Sequence, residues 1–249
     1  MSLRDESVDI FIYAHEESPA LAVCRDAFRR LTNGPHTLHV VCEPGTAYQN
    51  FNRGLDRCKN RFVVSAHADV QVLLSDWRNV LLDEFDADPK LGMVGPVQIN
   101  SRDALKRWAA NPTTTLREHF PWERLDSWTI NGCLQMFDRE KIGAMRMEEL
   151  MPGNLDGAEV DWCWKIVSKG LKLRTTRHAI VFHEDVGDAN VLFQKHGYRS
   201  PQEESFRYLQ VAWWLRGKWP KMFEGLDTSK IASPDLVVDG LPVWPKTWM

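Results

Sequence analysis

Residues 61–72 read RFVVSAHADVQV, and the fold turns on how that stretch is understood. Phe62, Val63 and Val64 form a short apolar run of the kind that makes a buried strand. The run gives way to three polar groups able to bind a metal or a phosphate: Ser65, His67 and Asp69. In open α/β sheets, ligands sit in the crevice beyond the carboxyl ends of the strands. A strand that delivers His-Ala-Asp to that edge is the expected floor of a nucleotide site. Residues two apart on an extended segment point the same way, so His67 and Asp69 are expected to address one ion.

The same logic extends outward in both directions. Val8 to Ala14 is a first apolar strand, followed by turn residues and by Pro19, which suits the start of a helix. Leu21, Cys24, Phe28 and Leu31 then recur at spacings of three and four, one face of an amphipathic helix that Asn33-Gly34-Pro35 stops. Leu38 to Cys42 is a second strand, closed by Glu43-Pro44-Gly45-Thr46. A helix from about Ala47 to Lys59 leads into the strand Phe62–Ala66. A helix over Asp76–Phe85 and a turn at Asp88-Pro89 precede a fourth strand, Gly92–Val97. This alternation predicts an α/β protein with a parallel sheet wrapped on both faces.

From Gln98 to Asp126 the pattern fails. That stretch reads either as a substrate-holding loop with short helices or as a surface excursion pinned by Trp108 and Trp122. Ser127 to Phe137 is regular again, with Gly132 marking a bulge or a close backbone approach. A helix with acids in its first turn starts near Leu155 and ends at Gly170, and a last strand, Ala179–Phe182, is capped by His183. Beyond Val186 the chain carries a helical face (Phe206, Leu209, Trp213, Leu215) and then prolines. Trp213, Trp214 and Trp219 stand there among Arg207, Arg216, Lys218 and Lys221.

The bulk numbers bound the class. The chain has 249 residues, 43% apolar and 26% charged, as expected for one large soluble domain or a domain with a tail. Its 31 basic and 34 acidic residues leave a net charge of −3, so no global basic field recruits nucleic acid. Five cysteines with no CxxC pair predict reduced thiols rather than a zinc site, hence a cytoplasmic protein. Neither a signal peptide nor a transmembrane segment is expected.

Taken in order, these pieces resemble the inverting glycosyltransferases of family 2, which have a GT-A fold. Glu43-Pro44-Gly45-Thr46 matches the acid and small residues after the second strand, and Asn52-Arg53-Gly54 an Asn-x-Gly helix. His67-Ala68-Asp69 stands where the family has Asp-x-Asp. NGCLQMFDREKIG (131–143) resembles its Gly-rich strand, AEVDWCWKIVSKGLKL (158–173) its acidic helix, and His183 a histidine often found after the next strand. The resemblance spans roughly residues 7–185. It implies a GT-A domain over 1–185, with a nucleotide half to about 100 and an acceptor half over 101–185, and a packed helical extension over 186–249.

The resemblance also implies roles. The donor, a nucleotide-diphosphate sugar, would be held by Ala14, His15, Glu43, Asn52, Arg53, His67 and Asp69. A divalent ion, Mn or Mg, would sit on Asp69, His67 and His183; imidazole at two of these positions is compatible with Mn. Glu159 would be the general base, with Asp161 assisting or fixing basic side chains. From the residues alone, Asp156-x-x-Glu159 also reads as a capping box in which Glu159 only caps its own helix. The acceptor would be a glycan, a lipid-linked glycan or another hydroxyl. The tryptophan-rich tail has three readings: core packing, a homodimer contact, or shallow docking on a membrane surface. The rival to an enzyme is a degenerate GT-A domain that binds nucleotide or glycan, suggested by His67 in place of an acid. A Rossmann oxidoreductase and a nucleotidyltransferase are disfavoured because no glycine-rich phosphate loop follows Ala14.

Overall fold

The computed structural model describes residues 2–14, 16–149, 157–183, 211 and 213–223, and the backbone of 237–238 and 241–242. Strand β1 (Val8–Tyr13) leads to helix α1 (Pro19–Leu31), where Ser18 accepts the Leu21 N–H and Pro19 opens the first turn. Strand β2 (His36–Val41) follows, then α2 (Ala47–Arg57), started by a reciprocal Thr46–Gln49 capping box. Next come β3 (Phe62–His67), β4 (Val70–Val72), α3 (Trp77–Ala87) and β5 (Leu91–Ile99). The stretch without a clear pattern holds α4 (Arg102–Ala110), α5 (Pro112–His119) and β6 (Arg124–Ser127). Trp108 and Trp122 pack there against Val97, Ile99, Ile180 and Phe182. Strand β7 (Leu134–Asp138), α6 (Arg139–Ile142), α7 (Ala158–Val167) and β8 (Lys172–His183) complete the sheet.

The strand order is β2-β1-β3-β7-β5-β8-β4, with β6 also paired to β8. β1 is parallel to β2 and β3, and β5 is parallel to β8. β7 is antiparallel to both β3 and β5, so the two groups point the same way. The sheet is therefore mostly parallel, as expected for an α/β protein of this kind, with β4, β6 and β7 running against their neighbours. Proline explains one irregularity. Pro96 lies within β5 and has no N–H for the ladder, and there the register slips from Pro96↔Thr176 to Val97↔Ile180.

Alternate residues of β1 serve opposite faces. Val8, Ile10 and Ile12 meet α1 and α3 residues such as Phe28, Trp77 and Leu81. Phe11 and Tyr13 meet α2 and α7 through Phe51 and Trp162, and Val211 and Leu215 of the C-terminal helical segment join this layer. Core packing is thus the reading of the tail that holds for Val211, Trp214, Leu215 and Trp219, while Trp213 is 61% exposed. Phe206, Leu209, Arg207, Pro234 and Pro245 lie outside the described residues. Among the described residues no helix is long and apolar enough to cross a membrane.

Two further contacts fix the sheet's surroundings. A Cβ at Gly54 would stand 2.3 Å from the Phe11 ring, so glycine lets α2 lie close on β1. At the far edge, Arg174 of β8 reaches Glu84, Asp88 and Asp126, and Arg124 reaches the buried Glu84. The Lys172 ammonium, 2.9 Å away, holds the Asp88 carboxyl below its usual range, helped by the Lys90 amide and Arg174 against a desolvation cost.

Gly54→Ala should destabilise by about 1–3 kcal/mol through overpacking, read as a lower urea midpoint with unchanged slope. Because the folded pKa of Asp88 lies below its unfolded value of about 3.9, its contribution is complete above about pH 4 and is lost as pH falls through the folded value. Asp88→Asn should therefore lower stability at about pH 6 and flatten the acid limb of the pH–stability curve; parallel curves for variant and wild type would contradict this.

Candidate active site

The carboxyl edge of the sheet gathers three donors. His67 is the last residue of β3, and Ala68-Asp69 turns the chain into β4. β4 runs antiparallel to β8 with Val70 opposite His183, which sets Asp69 beside that histidine. One ligand atom each from His67, Asp69 and His183 lies within 4.8 Å of the others. The convergence comes from a turn, not from the extended alternation expected over 67–69.

The donor set fits a divalent ion. His183 Nε2 lies 3.1 Å from Asp69 Oδ1, yet it is buried and no hydrogen bond reaches it. On the other side of the ring, Nδ1 is 3.0 Å from Gln98 Nε2, while Gln98 Oε1 is buried without a partner. Half a turn of the Gln98 amide would place that oxygen on Nδ1–H and leave Nε2 as a bare lone pair, the form a metal requires. Side-chain exposures of 20% for His183 and 28% for His67 and Asp69 leave the cluster open to a cleft.

Glu159 faces the same cleft. Its Oε1 is 3.2 Å from His67 Nε2, and its Oε2 accepts the Gly132 N–H at 3.2 Å. A Cβ at Gly132 would fall 2.0 Å from the Glu159 carboxyl carbon, so only glycine admits this approach. The N-cap of helix α7 is Gly157 at φ 102°, with no side-chain cap bond, and Asp156 of the expected capping box lies outside the described residues. The surrounding groups stay neutral. Burial first, then the Glu159 charge, raises Tyr13 beneath His67 well above the ordinary phenol value. Burial, with Asp69 adding, pushes the Cys24 thiol up to about 12, and Cys133 is raised in the same way by burial and Glu159. The five cysteines are free thiols.

No protein-family model and no curated protein matches the chain by sequence. Solved structures do match by shape. The mannosyltransferase PcManGT from Pyrobaculum calidifontis, in complex with GDP-Man and Mn2+, superposes with a TM-score of 0.56 over 84% of this chain, at 15% identity. GalNAc-T7, with UDP, GalNAc and Mn2+, gives 0.50 over 97% of this chain, at 13% identity. The chain has a GT-A fold. It spans 64% and 59% of the lengths of those two chains.

Other expected site residues of this GT-A sheet sit at varying distances from the cluster in function. Ala14, just past β1, and Glu43, just past β2, are joined by a residue the sequence reading missed. Asn50, fully buried, donates from Nδ2 to both backbone carbonyls at 2.8 Å. Arg53 donates to Pro44 O and Asn50 Oδ1, and together with Arg57 it engages the Glu43 carboxylate. Asn52 is committed elsewhere: its amide exchanges hydrogen bonds with the Met147 backbone and donates to Glu149. It borders an open groove of about 490 Å³ with Asp56 and Arg146, away from the histidines. Asp161 is fully buried, its carboxylate enclosed by Lys165, Lys218 and Trp219. His15 lies outside the described residues. Asn50 gave no signal because a buried polar helix residue looks like any exposed one in sequence. Gln98 had one: like His67, it is a polar group at the end of an apolar strand.

Saturating Mn2+ should raise the melting temperature of the wild type, by about 2.7 kcal/mol of stabilisation at a hundredfold excess over Kd. Asp69→Ala and His183→Ala should each abolish the rise while leaving the metal-free melting temperature within a few degrees; a rise that survives both would place the ion elsewhere.

Proposed function

We propose that this chain is a family 2-like inverting glycosyltransferase, moving a sugar from a nucleoside diphosphate sugar to an acceptor hydroxyl on a glycan, a lipid-linked glycan or another carrier. The observation that carries the reading is the placement of Glu159, a carboxylate locked by Gly132 and His67 beside a histidine–aspartate cluster at the carboxyl edge. An isolated acid on a helix surface would not need a glycine to admit it.

In this reading Asp69 and His183, with His67, would hold a divalent ion. Two imidazoles and one carboxylate favour Mn over Mg, which strongly prefers oxygen, and the two solved structures with Mn2+ support that choice. When bound, such an ion offsets the charge that builds on the departing diphosphate. The protein's own groups do the rest. Glu159 takes the acceptor proton as the hydroxyl oxygen bonds to the anomeric carbon, and the bond from that carbon to the diphosphate oxygen breaks on the opposite face. The incoming and outgoing oxygens occupy opposite faces, so configuration inverts. Gly132 N–H and His67 aim the carboxylate, leaving it little rotational freedom to lose. The loops after β1 and β2, pinned together by Asn50, offer the Ala14 backbone and the Glu43 carboxylate to the base and ribose, and Arg53 to phosphate. Residues 1–100 would then serve the donor and 101–185 the acceptor, with 186–249 an extension.

One observation favours a second reading. Both Glu159 oxygens are engaged, and His67 replaces the acid expected there, as in a domain that binds a donor without turning it over. Glu159→Gln separates the two. It should reduce transfer by about 10²–10⁴-fold with donor affinity intact. Full activity in that variant would sink the role of Glu159, and donor binding by a wild type that transfers nothing would favour the binding domain.

A further inference from the structure

We infer that Asp161 is the anchor through which the C-terminal segment fixes helix α7, and with it Glu159; this rests on the role proposed above for Glu159. Asp161 is completely buried, so it touches neither donor nor acceptor. Its carboxylate receives Lys165 Nζ at 2.9 Å from its own helix, Lys218 Nζ at 3.0 Å and the Trp219 indole N–H at 2.7 Å. Two ammonium groups and an indole donor surround one acid, the satisfaction a buried charge requires.

The contacts extend past the acid. Lys218 also reaches Glu148 at 3.3 Å and lies 4.4 Å over the Trp214 ring, and Lys165 donates to Arg146 O at 2.8 Å. The tail, the segment at 146–148 and the first turn of α7 are therefore drawn onto one carboxylate. Among the described residues nothing caps that turn through a side chain, since its N-cap is Gly157. Residues two apart on a helix face different ways, so Asp161 is held from the tail side while Glu159 projects to the cleft. Releasing the anchor lets the turn rotate or fray, and the carboxylate that accepts the Gly132 N–H moves with it. Asp161 is thus a positioning residue, and the tail is a working part of the site.

The test uses the full chain and approaches the carboxylate from both sides, with Asp161→Asn, Lys218→Met, Trp219→Phe and Lys218→Arg. Amide hydrogen exchange of residues 158–161, tryptic cleavage after Arg216 and Lys221, donor affinity and the kcat–KM split are measured on each. The first three variants should speed exchange in that turn and cleavage in the tail. They should lower kcat by roughly 10- to 100-fold with donor affinity within about twofold of wild type. Lys218→Arg, which keeps the charge, should restore most of both. Should Asp161→Asn not fold, the Lys218 and Trp219 variants decide alone. Faster tail cleavage with exchange and kcat unchanged would overturn the inference. A wild type that transfers no sugar would instead overturn the transferase reading, and the exchange measurement would still decide whether the anchor holds the turn.

Discussion

One strand running against its neighbours makes the cleft. β7 lies between β3 and β5 and is antiparallel to both, so its beginning arrives at their carboxyl ends. Had it been parallel, Gly132 and Cys133 would stand at the opposite edge of the sheet. As it is, Cys133 O accepts the His67 N–H at 3.0 Å, and Gly132, one residue earlier, presents its own N–H to Glu159. β4 repeats the device at the other side, where its antiparallel start sets Asp69 against the end of β8. These two reversals bring groups from β3, β4, β7, β8 and α7 to one place.

That convergence has an electrostatic consequence. Glu159 and Asp69 are both acids in a partly buried cleft, and each faces an imidazole, His67 or His183. The neighbouring phenol and thiols are pushed toward their neutral forms by burial and by these same carboxylates. Tyr13, Cys24 and Cys133 are thereby held away from their anionic forms. A cation entering such a site would meet two acids and two imidazoles at close range, whereas a solvated surface acid would offer it little.

How far the sequence could be read follows from the same geometry. Local signals were sufficient for β1, α1, β2, α2 and β3, because each rests on apolar runs, periodicity and breakers within a dozen residues: Pro19 at a helix start, Leu21, Cys24, Phe28 and Leu31 on one face, and Asn33-Gly34-Pro35 at its end. The end of β3 was legible since an apolar run yields to His67 and Asp69 without a break. Strand direction was not, because nothing within 134–138 records which way its neighbours run. Nor was the fate of buried polar side chains. Asn52 and Asn50 sit two apart on one helix and look alike in sequence; only tertiary packing gives Asn50 the ends of β1 and β2 and sends Asn52 to the Met147 backbone. Residues 102–119 gave no periodic signal because their two short helices bury little of their own and lean on Trp108, Leu116 and Trp122 against β5 and β8, so the sequence offered short helices and tryptophan pins there without bounds.

Helix α7 shows why residue type alone does not assign chemistry. Glu159 and Asp161 are both acids in one turn, two residues apart, and either could have been the reactive group on composition. Their surroundings divide them. Asp161 is enclosed by two lysines and an indole, which between them engage both carboxylate oxygens. Glu159 keeps 32% of its side chain exposed and is held by one amide and one imidazole. A general base must both reach its substrate and change protonation state during the reaction. Of the two carboxylates only Glu159 is open to a substrate, which is why it is the one proposed as base, and the enclosure of Asp161 suits it instead to the proposed role of holding the helix.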